Sequence, residues 1–301
     1  MTRGSLGTWS PLALWLAEPD HGRDAAAELE DLGYETIWLG NGQDILSVAE
    51  SLLAATRTVT VATGILNIWL HQDAAGMARI VRGIEERFPG RFLLGLGAGP
   101  RTPAQAAQSS YRAMTAYLDE LDRAGVPARQ RVLAALGPRM LALAADRSVG
   151  ALPLLTTPVH TAMARRTLGP GPLLAVEQGF VLDDDVVRAR ETARLDLEFY
   201  LPKAGYRRTL RRLGFSEHDL SGRGSDRLVD ALVPCGGPDH VIGLLVEHLR
   251  GGASQVAVQP LTLDTHIGSG NRRLPMAEFR ALAAAADSHK PECAALAVQL
   301  I

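Results

Sequence analysis

The chain has 301 residues, 47% of them hydrophobic, and a formal net charge of −2, enough apolar material for one large core and no basic face for nucleic acid. Its two cysteines, Cys235 and Cys293, lie far apart in sequence, so a disulfide framework is unsupported and a reducing, cytoplasmic compartment is expected. The N-terminal MTRGSLGTWS has no apolar signal core, and no stretch approaches the roughly eighteen uninterrupted apolar residues of a membrane span.

Gly7–Leu16 reads as a first strand interrupted by Pro11, and Arg23–Leu32 as a helix stopped by Gly33. Glu35–Leu39 is a second strand, ending in Gly40-Asn41-Gly42-Gln43, and Ile45–Ala55 a helix. Thr58–Ile65 is a β-branched third strand, followed by a helix over Ala74–Phe88 that Pro89-Gly90 ends. Phe92–Leu96 is wholly apolar, as a strand buried on both faces must be, and runs into Gly95, Gly97 and Gly99. These glycines let backbone approach a neighbour closely, whether in a plain turn or against a ligand. Their spacing is not the dinucleotide fingerprint.

Pro103–Ala124 reads as a long amphipathic helix, and Arg131–Leu136 as a fifth strand before the helix Arg139–Asp146. Gly150–Leu155 is a sixth strand, His160–Leu168 a helix, and Pro172–Val181 a seventh strand. The eighth strand lies in Gly252–Leu261, and a last helix covers Ala277–Ala286. Strands alternating with helices imply a parallel α/β architecture, and eight strands close a (β/α)8 TIM barrel. The segment at about 183–251 carries helices and a Gly/Ser-rich break but no strand, so it reads as a helical insertion between strands seven and eight of one domain over 1–301. An open doubly wound sheet is the competing fold; it would want a glycine fingerprint after the first strand, where Ser10 and Pro11 stand.

In such a barrel the site lies in the loops after the strands. Gly137-Pro138-Arg139 places a glycine, a helix-starting proline and a guanidinium at one helix start, suited to a phosphate or equally to a plain connection with a solvated arginine. Glu177-Gln178 is polar and acidic inside an apolar strand; a buried carboxylate there needs either an ion pair with arginine or a function. The eight histidines never form a metal-binding pair with an acid at helical spacing, so no metal site is expected, and no Gly-x-Ser-x-Gly elbow exists.

Taken together, ETIWLGN (35–41), TVATGILNIW (60–69), RFLLGLGAG (91–99), VLAALGPRMLALAADR (132–147), GALPLLTTPVHT (150–161) and GPGPLLAVEQ (169–178) give the chain a family likeness. It resembles the bacterial luciferase-like flavin or deazaflavin oxidoreductases, and within them the actinobacterial branch that uses coenzyme F420. YRRTLRRLGFSEHDLSGRGSDRLVDAL (206–232) and HLRGGASQVAVQPL (248–261) extend the likeness over nearly the whole length. The resemblance implies a (β/α)8 barrel with an insertion before the last strand, a homodimer, and hydride transfer between F420 (FMN as the alternative) and a small organic substrate. It also implies a cis peptide at Gly64–Ile65, a phosphate site at Gly137, Pro138 and Arg139, and cofactor contacts from Asn41, Gly64, Ile65, Asn67, Gly97, Ala98 and Thr156. Asn41, Glu177 and Gln178 are the candidate catalytic residues. Two departures stand out: the Asp-His and Glu of the family's sugar-phosphate dehydrogenases are replaced by Asn41-Gly42 and Pro100. Glucose-6-phosphate oxidation is therefore unsupported. An FMN-dependent luciferase-like monooxygenase and a non-catalytic barrel serving as a binding or dimerisation partner remain the alternatives.

Overall fold

The computed structural model describes residues 5–10, 19–40, 44–99, 102, 105, 108–264 and 274–299. Its strands are β1 (Ser5–Ser10), β2 (Thr36–Leu39), β3 (Thr60–Thr63), β4 (Leu66–Asn67), β5 (Phe92–Gly97), β6 (Arg131–Leu133), β7 (Gly150–Ala151), β8 (Leu173–Phe180) and β9 (Gln255–Pro260). The helices are α1 (Pro19–Asp31), α2 (Ile45–Ala55), α3 (Ala74–Arg87), α4 (Ser110–Arg123), α5 (Pro138–Arg147) and α6 (Pro158–Leu168). They continue with α7 (Val186–Tyr200), α8 (Ala204–Arg212), α9 (Asp226–Leu232), α10 (Pro238–Arg250) and α11 (Met276–Gln299). The hydrogen-bonded strand order is β3-β2-β1-β9-β8-β7-β6-β5-β4, with β3 also paired to β5. This is the parallel, helix-alternating sheet of a (β/α)8 barrel.

The contacts divide the described residues into two compact units. The first holds 9–152 and 167–173. Within it β2, β3, β5, β6 and β7 pair in turn, all parallel, through Thr36↔Thr60, Val61↔Phe92, Leu94↔Arg131 and Leu133↔Ala151. Every residue of β2 and β5 is buried, as their unbroken apolar runs require. Polar side chains bind the lower ends of these strands. Glu30 on α1 accepts the backbone N–H groups of Arg57 (2.9 Å), Thr58 (2.6 Å) and Val59 (3.1 Å) ahead of β3. Burial pushes its carboxyl up, but these bonds outweigh that and hold it at about 2. Arg91 ties the carbonyls of Val59 (3.0 Å), Leu53 (3.2 Å) and Thr56 (3.0 Å).

The second unit holds 5–8, 153–166 and residues from 174 on. Here β8, β9 and β1 pair in parallel, through Ala175↔Gln255 and Ser5↔Gln255. Helices α7, α8 and α9 pack over Leu155, Val181 and Leu261 in one apolar cluster that includes Ala193, Leu197, Tyr200, Leu210 and Leu228. Asp185 caps α7 by accepting the N–H groups of Val187 and Arg188, both at 3.1 Å.

The helix over 45–55 falls where the sequence places it. Several elements differ: the fifth strand, expected over 131–136, is Arg131–Leu133, and the last helix, expected over 277–286, is Met276–Gln299. The third strand breaks at Gly64-Ile65 and resumes as the short β4, whose Leu66 and Asn67 pair with Leu96 and Gly97 of β5. The helix expected from Pro103 begins at Ser110, because Ser109 is its N-cap, accepting from Arg112 N–H at 3.4 Å. The sixth strand, expected to reach Leu155, stops at Ala151; Pro153 cannot donate to a ladder, and Leu155 turns left-handed at φ 55°. The expected first-strand residues 11–16 lie outside the described residues, as do Asn41 and Pro100.

Candidate functional site

In the first unit, the ends of β3 and β5 are tied together through the side chain of Thr63. Thr63 Oγ1 donates to the Gly95 carbonyl (2.9 Å) and accepts the Gly95 N–H (2.8 Å). A Cβ on Gly95 would stand 1.7 Å from the Thr63 carbonyl oxygen, so only glycine fits. One residue on, the Gly64–Ile65 peptide is cis, where the resemblance implies it. A Cβ on Gly97 would stand 2.5 Å from Ile65 Cδ1 and 3.3 Å from Ala134 Cβ. Gly97, Ala98 and Gly99 therefore present almost bare backbone beside Asn67, whose Nδ2 lies 3.5 Å from the position a Cβ of Gly99 would take.

Asn67 is buried, with Oδ1 accepting the Trp69 N–H at 3.1 Å. The Trp69 indole N–H is buried too, with no hydrogen-bond partner among the described residues. Such a donor costs free energy until an acceptor reaches it. His71 follows in the same turn, and burial lowers its pKa.

At the end of β6, Gly137 is the N-cap of α5 with no side-chain cap, and Pro138 occupies the first turn. Met140 (3.1 Å) and Leu141 (3.0 Å) N–H donate to the Gly137 carbonyl and Pro138 has no N–H, so in that turn the Arg139 N–H is the amide that an acceptor would meet. Arg139 is exposed, but its guanidinium is not merely solvated: Cζ stands 4.4 Å from the centroid of the Tyr111 ring at the start of α4. A cation–π contact holds the charge at the helix start.

The second unit ends its strands differently. Side chains alternate between faces along a strand, so the register Glu177↔Ala257 and Gly179↔Gln259 puts Glu177 and Gln259 on one face. Leu154 bridges Glu177 on the other side, and Thr156 lies two residues beyond it. Thr156, Glu177 and Gln259 are 0%, 2% and 1% exposed. Thr156 Oγ1, Glu177 Oε1 and Gln259 Nε2 all lack hydrogen-bond partners among the described residues.

Among the described residues Glu177 forms no ion pair, so the arginine partner that burial would call for is not its solution. Burial first, and the nearby Asp196 carboxyl second, push its pKa well above the ordinary carboxylate range. Asp196 is buried on α7. Tyr200 on α7 and Tyr206 on α8 complete the surroundings; burial raises both phenols, and Glu177 and Asp196 add to it. Lys203 sits between these helices with Nζ 3.1 Å from the Phe199 ring centroid and 4.6 Å from that of Tyr200. Burial lowers it to about 8, against the pull of Asp196.

Gln178 points to the opposite face of β8. Its Nε2 donates to the carbonyls of Leu232 and, at 3.1 Å, Gly179, tying the strand to the end of α9. Of the residues expected at the site, then, Gly64, Ile65, Asn67, Gly97 and Ala98 gather at the β3–β5 ends, and Gly137, Pro138 and Arg139 at the start of α5. Thr156 and Glu177 belong to the second unit. Asp196, Tyr200, Tyr206 and Trp69 were not anticipated. For Asp196 the signal is present: Ala189, Ala193, Asp196, Leu197 and Tyr200 form one buried helical stripe, and an acid on such a stripe must face an interior. Among the described residues no group of three or more His, Cys, Asp or Glu is placed to hold a metal, and no helix is long and apolar enough to cross a membrane.

With this geometry in hand, comparison with known families and structures is informative. Residues 5–123 match the luciferase-like monooxygenase family. That luciferase-like segment covers α1 to α4 and the glycine shelf of β5, the same stretch that carries much of the resemblance read from the sequence. No curated protein matches the chain.

Solved structures match almost end to end. An F420-dependent secondary alcohol dehydrogenase in complex with an F420-acetone adduct shares 13% identity over 95% of this chain and 98% of that one, with a TM-score of 0.70. The coenzyme F420-dependent tetrahydromethanopterin reductase from Methanopyrus kandleri shares 16% over 94% and 97%, with a TM-score of 0.66. The oxygenating constituent of 3,6-diketocamphane monooxygenase from Pseudomonas putida, in complex with FMN, shares 14% over 94% and 96%, with a TM-score of 0.62. At these identities the likeness is one of fold, and proteins named for F420 and one bound to FMN share it.

Proposed function

We propose that this chain is an oxidoreductase that binds a deazaflavin of the F420 type and moves a hydride between it and a small organic substrate. The observation that carries the reading is the bare backbone of Gly97–Gly99, packed against Ile65 and Asn67 at the ends of the first unit's strands. A flat fused ring can lie against backbone that presents no side chain. The buried Trp69 indole N–H, which lacks an acceptor, fits the same group, because ring carbonyls and nitrogens would supply one.

Gly64, Ile65, Asn67, Gly97 and Ala98 would hold the ring, and Gly137, Pro138 and Arg139 a phosphate at the start of α5. Tyr111 pre-positions the Arg139 guanidinium, so little side-chain freedom is lost on binding. When bound, such a cofactor supplies or accepts the hydride; the protein orients it and keeps water from it.

FMN is the second reading, favoured by the fold likeness to an FMN complex. Titrating the purified protein with each cofactor and following absorbance and fluorescence separates the two. Saturable deazaflavin binding supports the proposal. FMN binding alone transfers the reading to a flavin monooxygenase, and binding of neither leaves a non-catalytic barrel. A homodimer belongs to the same reading, and sedimentation equilibrium checks it.

A further inference from the structure

The chain carries its positive charge almost wholly on arginine: 29 arginines stand against two lysines, Lys203 and Lys290. Arginine also supplies the cation of the ion pairs among the described residues, from Arg57–Asp31 in the first unit to Arg190–Asp230 and Arg227–Asp219 in the second. Lys203 stands apart from that pattern. It lies at the turn between α7 and α8 of the second unit. There its N–H donates to the Tyr200 carbonyl (2.9 Å), and its own carbonyl accepts the N–H groups of Tyr206 (3.1 Å) and Arg207 (3.2 Å). Held in this way, the half-buried side chain sets Nζ 3.1 Å from the Phe199 ring centroid and 4.6 Å from that of Tyr200. Tyr206 closes the corner, its ring centroid 5.2 Å from that of Tyr200. An arginine could stack on such rings too, but a guanidinium does not give up its proton. The ammonium does so at about 8, because burial outweighs the pull of Asp196.

We propose that Lys203, seated on the rings of Phe199 and Tyr200, is a nucleophilic amine that condenses reversibly with small aldehydes. The lone pair of the neutral amine forms a bond to the carbonyl carbon, and the π pair moves onto oxygen and takes up a proton. Nitrogen then forms its second bond to that carbon as the C–O bond breaks and the oxygen leaves as water. One ammonium and one aldehyde become one protonated imine and one water, with nothing oxidised or reduced. The surroundings select this reaction among those open to a lysine. A protonated imine keeps the positive charge over the rings and near Asp196, whereas acylation would erase that charge and a carbamate would set an anion there. The other ionisable groups of this corner, Tyr200, Tyr206 and Glu177, are each raised by burial first, which keeps them uncharged.

Reductive trapping tests this, with propionaldehyde as the probe and cyanoborohydride as the trap. Peptide mass spectrometry reads the label at Lys203 apart from that at Lys290. No cofactor is needed, so the result is independent of the deazaflavin reading. At pH 7 an amine that titrates at about 8 is roughly a tenth neutral, against less than about 0.1% of an ordinary lysine. Lower basicity offsets part of that gain, so Lys203 should be labelled about tenfold faster than Nα-acetyl-lysine amide. The advantage should vanish by about pH 11, where both amines are neutral. In Phe199→Ser the amine regains water, and its labelling should fall to within about twofold of the model amine; Phe199 is exposed, and a thermal melt checks that the fold is kept. Labelling of wild-type Lys203 no faster than the model amine overturns the proposal, as does an unchanged rate in folded Phe199→Ser.

Discussion

The two units end their strands in opposite ways. In the first, the strand ends are stripped of side chains: Gly95 and Gly97 admit no Cβ without displacing a neighbour, and Thr63 satisfies both polar groups of Gly95. In the second, the strand ends lead to buried Thr156, Glu177 and Gln259, of which Oγ1, Oε1 and Nε2 find no partner among the described residues. The first is built to accept a shape, the second to accept particular donors and acceptors. In the proposed function the cofactor ring is assigned to the first of these.

The largest way to break it is Gly95→Val. The added Cβ meets backbone at 1.7 Å, which no rotamer relieves, so the loss should be on the order of 3 kcal/mol or more, read as a lower midpoint in urea. A Glu177→Gln variant tests the other unit through pH. The carboxyl of Glu177 is raised in the folded state. Folded protein therefore keeps a proton that the unfolded chain releases, and stability falls as pH rises above the ordinary carboxylate range. The slope is about 1.4 kcal/mol per pH unit until the group ionises. Glu177→Gln removes that slope, so the variant should be the more stable protein at pH 7 and above, and the gap should close towards pH 4. Thermal melts across this range decide it; parallel curves would mean that Glu177 is ionised in the fold.

Smaller effects sharpen the phosphate assignment. Arg139→Ala should weaken cofactor binding about ten- to a hundredfold, the worth of a charge-assisted hydrogen bond at roughly 1.5–3 kcal/mol. Stability should fall by no more than about 1 kcal/mol, the value of an exposed cation–π contact. Gly137→Leu should weaken binding similarly by blocking close approach. If neither changes the affinity measured by fluorescence titration, α5 holds no phosphate. Least of all should Gly179→Ala matter: its Cβ would meet the Leu261 side chain, nearest at Cδ1 (3.0 Å), a tip that can turn aside, so a cost of about 1 kcal/mol or less is expected.

The fold was legible because its strands are short apolar runs and its helices carry periodic faces, and both patterns are local. The glycine shelf was legible for the same reason: Gly95, Gly97 and Gly99 stand in one segment. The polar cluster was only half legible. Glu177 announced itself as an acid in an apolar strand, but Asp196, Tyr200 and Tyr206 reach it from helices that follow in the insertion, and no local pattern says which face of a strand an insertion will cover. Gln178, its sequence neighbour, reads equally polar yet serves α9, since alternation sends adjacent residues to opposite faces. The stacking of Arg139 on Tyr111 was likewise hidden in the sequence, because the two residues stand on different helices.

A crystal structure of the protein grown with a deazaflavin tests the central claim most directly. The proposed function predicts the ring against Gly97–Gly99 and Ile65, with its phosphate at the start of α5 within reach of the Arg139 N–H and guanidinium. A cofactor bound elsewhere, or a ring held off that shelf by side chains, would contradict it.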